Sequence, residues 1–244
     1  MEKEQMLINL QKISIISAFA AIVIFAVGTT IAMLVYPDYS FMEQFLSELG
    51  VRVTAFFSSG ETLIRAPHPE IFNISLIFAG VFLLLFFPSI YSILKPKGYF
   101  RKSIQFLIML SGLTTSCFII CVGIFDAGMF LEPHVISALG LYYCMIITSL
   151  LWGIGVISLE KESPYKQSKI WLIDPIASVL AMLIGMINTG LFNLHEFFVQ
   201  KLTMAFYQKM LAYVFIIVFG YVAIRLLFII KSKNDQSLEI HSKT

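Results

Sequence analysis

Residues 13–36 read ISIISAFAAIVIFAVGTTIAMLVY and contain no charged side chain. A helix needs roughly 20 mostly apolar residues to cross the ~30 Å hydrocarbon core of a bilayer, and this stretch is long enough. Pro37 and Asp38 follow it directly. Proline cannot continue a helix, because its ring clashes with the preceding turn and it lacks a backbone N–H. The stretch therefore predicts a transmembrane helix that ends near residue 36.

Five more apolar runs follow, at residues 71–94, 103–125, 134–159, 170–194 and 205–230. Strands of a membrane β-barrel would instead be about ten residues long and alternate in polarity. The composition agrees, since 58% of the chain is hydrophobic and 13% charged, against roughly 45–50% and about 25% in soluble domains. We therefore predict an all-α fold, a polytopic bundle of six transmembrane helices over residues 13–230 that makes several passes through the cell membrane.

The distribution of Lys and Arg predicts the orientation, because cytoplasmic connections carry an excess of these residues. Twelve lie on the side that holds both termini, and they are Lys3, Lys12, Lys95, Lys97, Arg101, Lys102, Lys161, Lys166, Lys169, Lys231, Lys233 and Lys243. Four lie on the other side, and they are Arg52, Arg65, Lys201 and Lys209. Both termini, residues 1–12 and 231–244, are therefore expected in the cytoplasm.

The long connection between the first two spans is expected to be an ordered extracytoplasmic loop. Its apolar residues recur at helical spacing, at Phe41, Met42, Phe45, Leu46 and Leu49, and Gly50 follows them. Polar residues occupy the opposite face, so the pattern predicts an amphipathic helix that lies flat in the membrane interface.

Unusual ionisable and polar residues collect on this same side. Charged groups at membrane depth are costly, so a cluster of them is by default a hypothesis of a functional site. We predict a ligand-binding polar basin under the first loop, formed by Asp38, Glu48, Asn73, Asp126, His134 and His195.

The sequence favours a non-enzymatic protein, or one whose activity is not identified, that binds a lipid or a small molecule. The alternatives are a metal-dependent intramembrane lipid hydrolase and, third, a small-solute transporter. The histidines and Asp126 are suitable metal ligands, but no His-x-x-x-His pair places two of them on one helix. We expect no resident metal and no cofactor. Nucleic acid is not an expected partner, because the net charge is only +2.

The fifth run carries small residues at four-residue spacing, at Ala177, Ala181 and Gly185. Such a stripe lets helices approach closely within a membrane. We favour packing inside the bundle, with an oligomer or a partner membrane protein as the alternative use of this face.

Several short motifs resemble those of the archaeal membrane family called domain of unknown function 998. They are Tyr36-Pro37 with Tyr39-Ser40, Ser47-Glu48-Leu49-Gly50, Pro69 with Phe72-Asn73, Gly123-Ile124-Phe125, and His134. Asp38 stands where the family's Tyr-Pro-x-Tyr element is expected to have Gly. A more distant similarity to the Frag1/DRAM/Sfk1 membrane proteins, which share six spans, implies a connection with membrane lipids. Neither resemblance supplies a catalytic residue.

Overall fold

The computed structural model describes residues 2–56, 62–94, 97–159, 173–188 and 204–242. These residues form six α-helices, and the bounds in chain order are α1 Glu2–Val35, α2 Pro69–Leu94, α3 Tyr99–Ile124, α4 Leu131–Ser158, α5 Ile173–Asn188 and α6 Met204–Ser242. The prediction of an all-helical protein is confirmed.

Five of the helices are long and apolar enough to cross a membrane, namely α1 to α4 and α6. The described part of α5 has 16 residues, fewer than the roughly 20 that a span needs. The predicted fifth span, residues 170–194, extends at both ends outside the described residues. A sixth crossing and the cytoplasmic placement of the termini therefore remain predictions.

The helices form a ring in chain order. Each packs against the next along the chain, and α6 closes the ring by packing against α1. Helices joined in this order alternate in direction, so the first loop (residues 36–68), the connection between α3 and α4, and the start of α6 lie at one end of the bundle. We call this the loop end.

The interface between α1 and α2 includes polar contacts near Pro88, which lies inside α2. Proline cannot donate to the preceding turn, so neighbouring groups must satisfy the freed carbonyls. The Ser14 hydroxyl of α1 donates to the Leu85 carbonyl at 2.5 Å, and Gln11 Nε2 donates to Ser92 Oγ at 3.1 Å. Hydrogen bonds therefore supplement apolar packing between the first two helices.

The first loop contains a 3-10 helix at Leu46–Gly50 and a short antiparallel pair of strands, β1 Ala55–Phe56 and β2 Thr62–Leu63. The amphipathic helix predicted over residues 41–49 is thus reduced to one short helix at its end. Leu46 and Leu49 are buried as the pattern predicted, while Phe41 and Phe45 are exposed. The helix is short because other side chains form hydrogen bonds with backbone groups of the loop that a longer helix would pair with one another.

The small-residue face of α5 is only partly described. Ala177, Ala181 and Gly185 all fall within this helix, but the side-chain surroundings of the last two lie outside the described residues. The interpretation of this face as a partner surface stays a prediction.

Candidate functional site under the first loop

A buried lysine fastens the first loop to α6. The Lys209 side chain is fully buried, and its ammonium donates to the Phe41 carbonyl at 2.7 Å and to the Gln44 carbonyl. The ammonium also lies 5.3 Å from the centre of the Tyr39 ring and 5.0 Å from that of Phe41. A buried charge is tolerated only when hydrogen bonds and favourable dipoles replace water. The loop backbone supplies them, so loop and cation stabilise each other.

The neighbouring residue on α6 provides a second connection. Gln208 Oε1 accepts a hydrogen bond from the Leu46 backbone N–H at 2.7 Å, and Gln208 Nε2 donates to the Tyr142 hydroxyl at 2.6 Å. One amide side chain thus joins the first loop to both α6 and α4.

Glu48 forms hydrogen bonds with other residues of the first loop. Its carboxylate accepts the Phe45 backbone N–H at 2.7 Å and the Gln44 amide at 3.4 Å. Burial and then the charge of this carboxylate raise the pKa of Tyr36 and of Tyr39 above the usual value of a phenol. The Tyr39 hydroxyl donates to the Gln44 carbonyl at 3.3 Å.

Asn73 holds the end of the 3-10 helix against α2. Its side-chain Nδ2 donates to the Gly50 carbonyl at 2.9 Å, and both residues are buried. A Cβ at residue 50 would collide with the Asn73 side-chain oxygen. This position therefore requires glycine because of close approach.

Substituting Gly50→Ala is expected to separate the loop from Asn73 and to destabilise the protein by about 1–3 kcal/mol, the usual effect of overpacking. Thermal unfolding of the purified protein measures this. Gly220→Ala is the matched control, since a Cβ there meets only Ile22 Cδ1 at 3.7 Å. Equal melting temperatures for the two variants would contradict the assigned contact.

Asp126 shapes the connection between α3 and α4. Its Oδ1 accepts the backbone N–H groups of Gly128 at 3.0 Å and Met129 at 3.1 Å, and that of Arg52 at 3.3 Å. The Arg52 Nε atom lies 3.8 Å from Asp126 Oδ2. The carboxylate is almost fully buried, so these bonds connect the loop to this turn and compensate for lost water.

His134 lies at the start of α4 and contacts both a backbone carbonyl and a cavity. Its Nδ1 donates to the Phe125 carbonyl at 2.6 Å, which fixes the ring across the turn. The residue also lines a cavity between the helices, and only 6% of its surface is exposed.

This cavity has a volume of about 170 Å³ and lies between the first loop and helices α1, α2, α3, α4 and α6. On α2 it extends from Phe72 to Phe87, which is about 22 Å at 1.5 Å per residue. Its lining is predominantly apolar. The polar lining residues are Ser47, Thr115, His134, Tyr142 and Gln208.

The structure places the predicted site residues in different surroundings. Glu48, Asn73, Asp126 and His134 all lie at the loop end, and His134 alone among them lines the cavity. Asp38 is exposed at a turn with φ +56°, a left-handed conformation that favours Gly, Asn or Asp. His195 lies outside the described residues.

Sequence reasoning missed Gln208 and Lys209. A polar pair within the apolar run 205–230 was the available signal, because ionisable residues inside a span are rarely incidental. Lys209 was instead counted among the charges of the connections. In the part of the chain that the structure describes, no three His, Cys, Asp or Glu side chains are grouped so that they could hold a metal ion.

Comparison with known proteins gives the family and no activity. No curated protein and no solved structure matches the chain. The model of the family described as "Protein of unknown function (DUF998)" matches residues 19–225. That match covers most of the sequence and includes the first loop, His134, Gln208 and Lys209, and the chain belongs to this family.

Proposed function

We propose that this protein binds one hydrocarbon chain of a lipid, or a small apolar molecule of similar shape, in the cavity under the first loop. The observation that carries the proposal is the cavity itself, whose predominantly apolar lining runs along about 22 Å of α2. One leaflet of a bilayer core is about 15 Å thick. The lining is therefore long enough for a hydrocarbon chain to lie along the axis of the bundle.

The size of the cavity argues for an occupant. Apolar walls that contact no other atoms lose their dispersion contacts, and this cavity of about 170 Å³ has predominantly apolar walls. Water is a poor substitute along an apolar wall, whereas a hydrocarbon chain would recover the lost packing.

The proposed orientation puts the loop end outside the cell. It rests on the excess of Lys and Arg at the opposite end of the bundle. In this arrangement the first loop covers the cavity at the outer membrane surface, and the ligand would come from the outer leaflet or from the medium.

The experiment uses a 16-carbon alcohol with a photoreactive diazirine in the middle of its chain, added to the full-length protein in nanodiscs. After illumination, mass spectrometry of the peptides locates the label. We expect saturable labelling at cavity residues such as Thr115 and Phe215. Lipid-facing residues such as Ile217, which is exposed, provide the internal control, because their labelling should rise with probe concentration without saturating. Labelling that saturates nowhere in the cavity would overturn the proposed function.

A further inference from the structure

We infer that the ligand of this cavity carries an uncharged head group with a hydroxyl that donates to His134 Nε2, as in a long-chain alcohol or a monoacylglycerol. The inference rests on the proposed function and adds the chemical class of the ligand. It comes from three features of the loop end of the cavity.

The first feature is the hydrogen-bonding state of His134. Its Nδ1 contacts the Phe125 carbonyl, which can only accept, so Nδ1 carries the proton. In a neutral imidazole the other nitrogen, Nε2, is then an acceptor. Among the described residues, no side chain or backbone group donates a hydrogen bond to it. The residue is 6% exposed and lines the cavity, so a donor on the ligand can satisfy this acceptor.

The second feature is Ser47, which lines the same cavity from the 3-10 helix. Its hydroxyl makes no hydrogen bond to any residue in the described ranges. A hydroxyl both donates and accepts. Ser47 can therefore accept from a second hydroxyl or donate to an ester oxygen, whereas His134 Nε2 requires a donor.

The third feature is the absence of ionic side chains from the described cavity lining, which contains no Asp, Glu, Lys or Arg. Lys209 is the nearest candidate on α6, but its ammonium is held by the Phe41 and Gln44 carbonyls. A phosphate or an ammonium head group would be buried here without a counter-charge, which is strongly unfavourable. The lining therefore selects for a neutral polar head.

Competition against the diazirine probe tests the inference with ligands that share one 16-carbon chain. The unlabelled competitors are hexadecanol, its methyl ether, hexadecyl phosphate and hexadecylamine. One donated hydrogen bond contributes about 0.5–1.5 kcal/mol, so hexadecanol should compete about 2- to 12-fold better than the methyl ether. The two charged competitors should be weaker still.

Two variants assign the preference to residues. In His134→Asn, the shorter amide still reaches toward the Phe125 carbonyl as a donor, but nothing replaces Nε2. We expect the advantage of hexadecanol over the methyl ether to vanish while chain labelling in the cavity persists. Ser47→Ala is the second variant, and it should lower the affinity of monohexadecanoylglycerol more than that of hexadecanol. His68→Asn is the matched control, since His68 is exposed and pairs with Glu70 at 3.5 Å.

The outcomes separate the two proposals. Saturable labelling of the cavity with equal competition by hexadecanol and its ether, or with stronger competition by the phosphate or the amine, would overturn the head-group inference and leave the proposed function standing. Wild-type protein without saturable labelling would overturn both. An unchanged preference in His134→Asn would remove His134 from the recognition site.

Discussion

Replacing Lys209 by Met is expected to release the first loop from the bundle. The substitution keeps the length of the side chain but leaves the Phe41 and Gln44 carbonyls without their donor. These bonds are partly buried, so the loss of each donor costs at most about 1–3 kcal/mol, and the contacts with the Tyr39 and Phe41 rings lose their cationic component. Hydrogen exchange in nanodiscs should accelerate over residues 41–49 and stay slow in the centre of α2.

Lys102→Met is the control for this prediction, because it removes the same charge from an exposed position near the other end of the bundle. It should leave exchange in the first loop unchanged. Slow exchange over residues 41–49 in Lys209→Met would show that apolar packing of Leu46 and Leu49 is sufficient to hold the loop. In that case Lys209 would not be the residue that fastens it.

The spans were predictable because a membrane offers the backbone very few solutions. Each N–H and C=O in the hydrocarbon region needs an internal partner, so a long uncharged run must be a helix. Hydropathy alone therefore located α1 to α4 and α6. The exact ends depended on local chemistry that the sequence also shows, such as Pro69 in the first turn of α2.

The conformation of the first loop was not predictable from periodicity. Residues 41–49 have the amphipathic pattern of a helix, yet groups distant in sequence take the backbone partners that a longer helix would use. Lys209 takes the Phe41 and Gln44 carbonyls, and Gln208 takes the Leu46 N–H. Within the loop itself, the Glu48 side chain takes the Phe45 N–H. No local sequence pattern reveals a partner that lies more than 160 residues away.

That the polar residues at the loop end form a ligand-binding basin stays a prediction. Asn73 and Asp126 hold backbone groups of the loop and of the turn before α4. Polar side chains can mark a site indirectly, because they fix the walls of a cavity whose surface is itself apolar. The cavity could not be predicted, since it depends on how five helices fail to fill the space between them.

Filling the cavity is expected to abolish chain binding without unfolding the protein. Ala138 on α4 and Ala212 on α6 both line it, so Ala138→Phe and Ala212→Phe each place a ring in the space that the chain would occupy. We expect saturable labelling by the diazirine alcohol to fall at least about tenfold, which corresponds to about 1.4 kcal/mol of lost binding free energy.

The melting temperature distinguishes this effect from misfolding. A ring that enters a real void gains packing, whereas a ring forced into a filled core costs about 1–3 kcal/mol. Ligand-free Ala138→Phe should therefore unfold at the temperature of the wild type or above it, and added hexadecanol should stabilise only the wild type. Val135→Phe on the exposed face of the same helix is the control and should keep full labelling. Labelling of Ala138→Phe and Ala212→Phe at the wild-type level would show that the chain binds elsewhere, because neither ring leaves room for it along the axis of the bundle.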